Sequence, residues 1–161
     1  MLRQEDLEAL FVKRERSLFN IALRWTFNEA QADELVQEAF LKVWQQRRRV
    51  VPETANAYLY QTLNRLAMKH ARRRTVWRRV KTLLGSGDAS QDWLLPADQY
   101  DRVEVQEAIQ ALPDGQRAVL LMAEFSGLSQ KEIGQALNLP TGTVGSRRHA
   151  ALAKLKELLD G

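Results

Sequence analysis

Thr143, Ser146, Arg147 and His149 fall within seven residues, shortly after Pro140. On a helix begun after that proline they face outward near its N-terminal half. There, hydroxyl, guanidinium and imidazole groups reach base edges and phosphates when a helix enters a DNA groove. The preceding residues are suited to position such a helix. Ser129 and Glu132, three apart, make a capping box for a short helix, and Ile133 and Leu137, four apart, give it a buried edge. Asn138 stands where the chain needs a left-handed turn residue, a conformation Asn tolerates. Pro140 blocks continuation, and Thr141 is placed to cap a second helix that turns Val144, Ala151, Leu152 and Leu155 inward. Short helix, tight turn and polar second helix together read as a helix-turn-helix over Gly127 to Leu155; an ordinary helical hairpin is the alternative these residues leave open.

A second group of candidates is cationic. Arg47, Arg48 and Arg49 form one run; Arg72, Arg73 and Arg74, followed by Arg78 and Arg79, form another at the end of an amphipathic segment. Arginines gathered at one helix end suit phosphate-backbone binding better than solvation alone. Residues 1–84 carry 17 Lys and Arg against 9 Asp and Glu, net +8. Residues 85–161 carry 7 against 11, net −4, which returns the total of +4. Opposite signs in the two halves favour two modules, the basic one a nucleic-acid surface. The helix-turn-helix lies in the acidic half, so its own electrostatic hold on DNA is weak. Catalysis finds little support: two histidines (His70 and His149), no cysteine, no nucleophile elbow and no phosphate loop. The absence of cysteine also removes disulfides and thiolate metal sites. The longest apolar run, Ala118 to Ala123, is too short to span a bilayer, and the acidic N-terminus lacks the order of a secretory signal. A soluble, cytoplasmic protein is expected.

Helical periodicity fills the rest of the chain, and no alternating strand pattern of useful length occurs. Leu7 to Trp25 give a first amphipathic helix, Glu5 to Thr26, with a break near Asn28. Ala30 to Gln46 follows, with Leu35, Val36, Ala39, Phe40, Val43 and Trp44 on its apolar side. Its outer face begins acidic and ends basic, matching the helix dipole. Pro52 lies in the next loop, and Asn56 is placed to cap a third helix, Ala57 to about Arg74. Gly85 to about Pro96 has linker composition. Helices resume near Tyr100 and again over Gln116 to Ser126, after the turn residues Pro113-Asp114-Gly115. The expected fold is all-α, as two small helical domains: 1–84, a linker at 85–98, and 99–161.

Two blocks of residues carry a resemblance to a known family. Ala32 to Trp44 (ADELVQEAFLKVW) resembles conserved region 2 of bacterial RNA polymerase sigma factors, and Ala57 to Ala67, followed by Arg72 to Arg74, resembles the promoter-melting helix after it. Leu112 to Leu121 (LPDGQRAVLL), with Gly127-Leu128-Ser129 and Gly142-Thr143-Val144, resembles region 4. Two such blocks in this order and spacing are similar to the extracytoplasmic-function (ECF) subgroup of the sigma-70 family. The resemblance implies a transcription initiation factor that binds core RNA polymerase through its β′ and β subunits. It implies recognition of promoter DNA at the −10 and −35 elements, no cofactor, and an anti-sigma factor as partner, often membrane-anchored.

Residue by residue, the resemblance implies polymerase contacts at Asp33, Glu34, Gln37, Glu38 and Leu41; a solvated helix N-terminus is what the four polar residues alone would suggest. It implies −10 contacts at Arg47, Arg48, Arg49, Asn56, Tyr58, Tyr60, Asn64, Arg65, Arg72, Arg73 and Arg74. Tyr58 and Tyr60 offer stacking faces for an unstacked base, with core filling the competing role for at least one of them. At −35 it implies Thr141, Thr143, Ser146, Arg147, Arg148 and His149. The chain departs from the family pattern in several places. Tyr58 stands where Trp is usual, Arg65 where Asn is usual with Asn64 one place early, and Lys69 where an acidic residue is common. Gly145, Arg148 and Ala150 replace a customary Lys, Leu and Arg, so −35 base preference is not inherited from relatives. Arg148 either snorkels from a partly buried site or faces the groove. A helix-turn-helix regulator binding duplex DNA without polymerase, and a sigma-like decoy for an anti-sigma factor, are the competing functional readings.

Overall fold

A computed structural model describes residues 1–85 and 101–161; apart from Gly85, the expected linker lies outside the described residues. The first helix, α1 (Gln4–Thr26), opens with the Arg3 backbone N–H donating to Asp6 Oδ2 at 2.9 Å. It closes at Phe27, which takes the left-handed conformation (φ 47°) while its N–H reaches Leu23 O. Asn28 then caps α2 (Glu29–Gln45), its Oδ1 accepting from Gln31 N–H at 3.0 Å.

The third helix, α3 (Pro52–Leu83), runs for 32 residues and corrects the sequence reading at both ends. Pro52 is its first residue rather than part of a loop, because proline's fixed φ suits a first helical position whose N–H has no partner anyway. Asn56 therefore sits inside the helix and caps nothing. The arginine-rich end continues as helix through Arg78 and Arg79 instead of stopping near Arg74.

Four shorter helices follow: α4 (Val103–Ala111), α5 (Asp114–Phe125), α6 (Gln130–Leu137) and α7 (Thr141–Asp160). Among the described residues these seven helices are the only regular structure and no strand occurs. The Pro113-Asp114-Gly115 turn is the opening of α5, with Asp114 favourably placed at the positive end of the helix dipole. In α7, Val144 and Ala151 are buried, seven residues or nearly two turns apart. Leu152, expected inward, lies one position round the helix and is 41% exposed.

Helices α1, α2 and α3 pack around Leu18, Ile21, Trp25, Val36, Leu59 and Leu63, all buried. The core does not end there. Val119, Leu121 and Met122 of α5, Ile133 of α6 and Val144 of α7 join the same continuous cluster, through contacts of α1 with α4 and α5 and of α3 with α6. Opposite charge meets across this junction: Arg24 pairs with Asp101 at 3.0 Å and Arg72 with Asp114 at 3.6 Å. No helix among the described residues is long and apolar enough to cross a membrane.

Candidate nucleic-acid interface

The helix-turn-helix forms as its residues dictate. Ser129 Oγ accepts from Glu132 N–H at 3.1 Å, and Glu132 Oε1 accepts from Ser129 N–H at 3.0 Å. The Ser129 backbone N–H first, and its hydroxyl next, hold the Glu132 carboxyl below its ordinary range. Asn138 adopts the left-handed conformation, φ 58°. The chain turns so sharply that a Cβ on Gly134 would lie 2.6 Å from the carbonyl oxygen of Leu139, so only glycine fits. Sequence reading missed Gly134, since its requirement comes from a tertiary approach rather than from turn spacing. Pro140, not Thr141, occupies the cap position of α7, and Thr141 is its first residue.

Of the six expected −35 residues, Thr141, Ser146 and His149 are exposed and Thr143 is half-buried. Ser146 Oγ donates back to Thr143 O at 3.1 Å. The two arginines turn toward α5. Arg147 lies over Gly115, its Nη1 3.0 Å from where a Cβ would stand, and Arg148 bonds Glu124 at 3.3 Å. Arg148 is half-buried, with its Nε out of solvent, and its outer end reaches a carboxylate on the neighbouring helix.

On α2, Asp33, Glu34, Gln37, Glu38 and Leu41 are all exposed, and their spacing of three and four puts them along one face. Leu41 is 54% exposed, an apolar residue within an otherwise polar strip.

The α2–α3 connection and the start of α3 border an open cavity of about 670 Å³. Arg49, Val50, Thr54, Tyr58 and Gln61 line it, and Gln135 of α6 stands at its edge. Tyr58, half-buried, lines this cavity and also packs against the hydrophobic core. Thr54 and Gln61 add hydrogen-bonding groups to which no sequence signal pointed. Arg47 lies 4.2 Å over the Trp44 ring and donates to Trp44 O at 3.0 Å; Arg48 is exposed.

Two expected contacts are withdrawn from the surface. Tyr60 is fully buried, its hydroxyl 2.7 Å from Ser17 Oγ, and Asn64 is buried with its amide donating to Tyr60 O at 2.9 Å. Both lie on the side of α3 that packs against α1. Asn56, half-buried, keeps its Oδ1 out of solvent without a partner and does not line the cavity. Arg65, Arg72 and Arg73 are exposed, whereas half-buried Arg74 donates to Thr26 O at the end of α1. Burial, and then the neighbouring Arg78, pull Arg74 down to about 10.

A polar residue that sequence reading passed over proves structural. Arg117 of α5 is buried, lies 4.3 Å over the Trp25 ring and donates to Arg24 O at 2.5 Å and Trp25 O at 3.0 Å. With Arg74 it satisfies the terminal carbonyls of α1, which have no N–H of their own helix to accept from.

Comparison with known proteins agrees with this geometry. The family description "Sigma-70 region 2" matches residues 10–78, and "Sigma-70, region 4" matches residues 102–155. The ECF RNA polymerase sigma factor SigL of Mycobacterium tuberculosis is 30% identical over 158 residues, covering 93% of this chain and 86% of the relative. SigE of Mycolicibacterium smegmatis is 28% identical over 160 residues, covering 88% of this chain, which spans 57% of that longer relative. In fold, the chain is similar to the sigma factor RpoE of Bartonella quintana, solved with the anti-sigma factor NepR. The TM-score is 0.71 at 22% identity, covering 97% of this chain and 98% of that one. With both conserved regions matched in order and a relative aligned over most of its length, the chain belongs to the ECF sigma factors of the sigma-70 family.

Proposed function

We propose that the protein binds core RNA polymerase and directs it to promoters through their −10 and −35 elements. Residues 1–84 serve as the polymerase-binding and −10 module and 99–161 as the −35 module, joined through 85–98. The polymerase does the chemistry; this chain supplies specificity. The observation that carries the proposal is the cavity beside Tyr58. Its volume suits a planar ligand, and a half-buried aromatic ring and Arg49 line it together with the hydrogen-bonding side chains of Gln46, Glu53, Thr54, Gln61 and Gln135. An unstacked −10 base held there leaves its backbone to run toward Arg65, Arg72 and Arg73 on the same helix. The exposed strip Asp33, Glu34, Gln37, Glu38 and Leu41 is the surface offered to polymerase, with Leu41 as its apolar anchor. In α7, Thr141, Thr143, Ser146 and His149 face the −35 groove, and Arg147 and Arg148 reach it by leaving Gly115 and Glu124.

The solved relative bound to NepR motivates a further part of the proposal: an anti-sigma factor holds this chain inactive by covering its polymerase-binding surfaces.

Run-off transcription with core polymerase tests the assignment. Promoter-specific transcripts should require the protein. Tyr58→Ala should lower open-complex formation by about 5- to 150-fold, the equivalent of one stacked base. Transcripts unchanged by Tyr58→Ala would remove the base-holding role, and no affinity for core polymerase would return the duplex-binding regulator to first place.

A further inference from the structure

The outward side of α7 is nearly bare at its N-terminal half. Gly142, Gly145, Ser146 and His149 recur at spacings of three and four, so they share one face of the helix. Two of the four have no side chain, and Ser146 turns its hydroxyl back onto Thr143 O. The long side chains nearby point elsewhere: Arg147 lies over Gly115, and Arg148 reaches Glu124. Such a face lets backbone come close to a major groove but offers base edges few groups that read them.

The two bare positions differ in their surroundings. Nothing lies within 4 Å of where a Cβ on Gly142 would stand. At Gly145 a side chain from the other helix reaches across. Gln130 Nε2 and Oε1 both lie 3.5 Å from where a Cβ would stand, and Gln130 Cδ lies 3.8 Å away. With the two heteroatoms equally near and the carbon farther, the open side of the carboxamide faces the gap. Gln130 is the first residue of α6 and is exposed. The capping box engages the side chains of Ser129 and Glu132, so the Gln130 side chain has no part in starting the helix. Its carboxamide makes no hydrogen bond to any described residue.

We propose that Gln130, on the first helix of the helix-turn-helix, is a specificity-determining residue for the −35 element. Its carboxamide stands in the gap at Gly145 and reads a base edge that α7 itself leaves unread. A carboxamide pairs bidentately with adenine, accepting from N6 and donating to N7, so adenine is the base preferred at that position. A base contact is favoured over a phosphate contact because the group lies beside the outward face of α7, between Gly145 and the groove. The proposal rests on the −35 reading of α7 and deepens it.

Run-off transcription by core polymerase with the full chain, on a promoter library randomised through the −35 element, tests it. The wild type should favour adenine at one position by about 5- to 150-fold, the ratio that one bidentate pair supplies. Gln130→Ala should flatten that position and leave preferences elsewhere in the element alone. Gln130→Glu keeps the shape, suits the first turn of a helix and removes the donor, so the preference should move toward cytosine, whose N4 donates. Gly145→Lys puts a long side chain into the gap and displaces Gln130. The adenine preference should fall, and adding Gln130→Ala should lower it no further. A merely structural role for Gln130 would lower transcription from all promoters alike and shift no base. That uniform loss would overturn the proposal, as would an unchanged preference in both Gln130 variants. A wild type that transcribes without any −35 preference would overturn the −35 reading as well, which separates the two failures.

Discussion

Replacing Arg117 by methionine isolates what one buried cation contributes to joining the two halves. Methionine fills similar volume, so the change removes the guanidinium with little cavity. It deletes the donors to Arg24 O and Trp25 O and the stacking on Trp25. Hydrogen bonds from charged groups contribute about 1.5–3 kcal/mol each in mutational series, so two amount to about 3–6 kcal/mol. The same substitution relieves the desolvation that holds Arg117 at about 9, and methionine packs favourably where the guanidinium did not. That relief offsets part of the lost hydrogen bonding, which leaves a net loss of about 2–3 kcal/mol. Urea unfolding followed by helical circular dichroism measures it, as a lower midpoint at an unchanged slope. Arg117→Lys should recover little, because an ammonium cannot span both carbonyls and lie flat on the ring. Equal or greater stability in Arg117→Met would refute the reasoning and show the buried cation to be a net burden on the fold.

Two further outcomes follow from particular contacts. Gly134→Ala places a methyl 2.6 Å from a backbone oxygen, so the turn must open; a loss of about 1–3 kcal/mol should appear as a lower melting temperature, despite alanine's better helix propensity. A rise in melting temperature would show that α6 and α7 separate freely. At His70, burial first and Arg74 next keep the imidazole below its ordinary value of 6.5, with Glu34 acting the other way. The unfolded chain then takes up the proton before the folded one, so stability is complete above pH 6.5 and declines as pH falls through the lowered folded value. Urea midpoints at pH 7.5 and 5.5 should therefore converge in His70→Gln, and an unaltered difference between the two pH values would assign the decline to other groups.

The local features of this chain were legible in its residues. The capping box at Ser129 and Glu132, the left-handed Asn138, the apolar periodicity of α1 and α2 and the region 2 and region 4 blocks all depend on contacts within a few residues, which spacing displays. Where the helix start of α3 was misplaced, the competing signals were local too: Asn56 is a good cap, but Pro52 four residues earlier is a good first residue, and the earlier start prevailed. Tertiary packing decided the rest. Tyr58 and Tyr60 look alike in sequence, yet Tyr58 borders a cavity while Tyr60 bonds Ser17 in the core, because α1 covers one side of α3 and not the other. Arg117 carries no mark in the sequence that separates it from a solvated arginine. Its partners lie over ninety residues away, at the carbonyl end of another helix, and only the fold brings those groups within reach of each other.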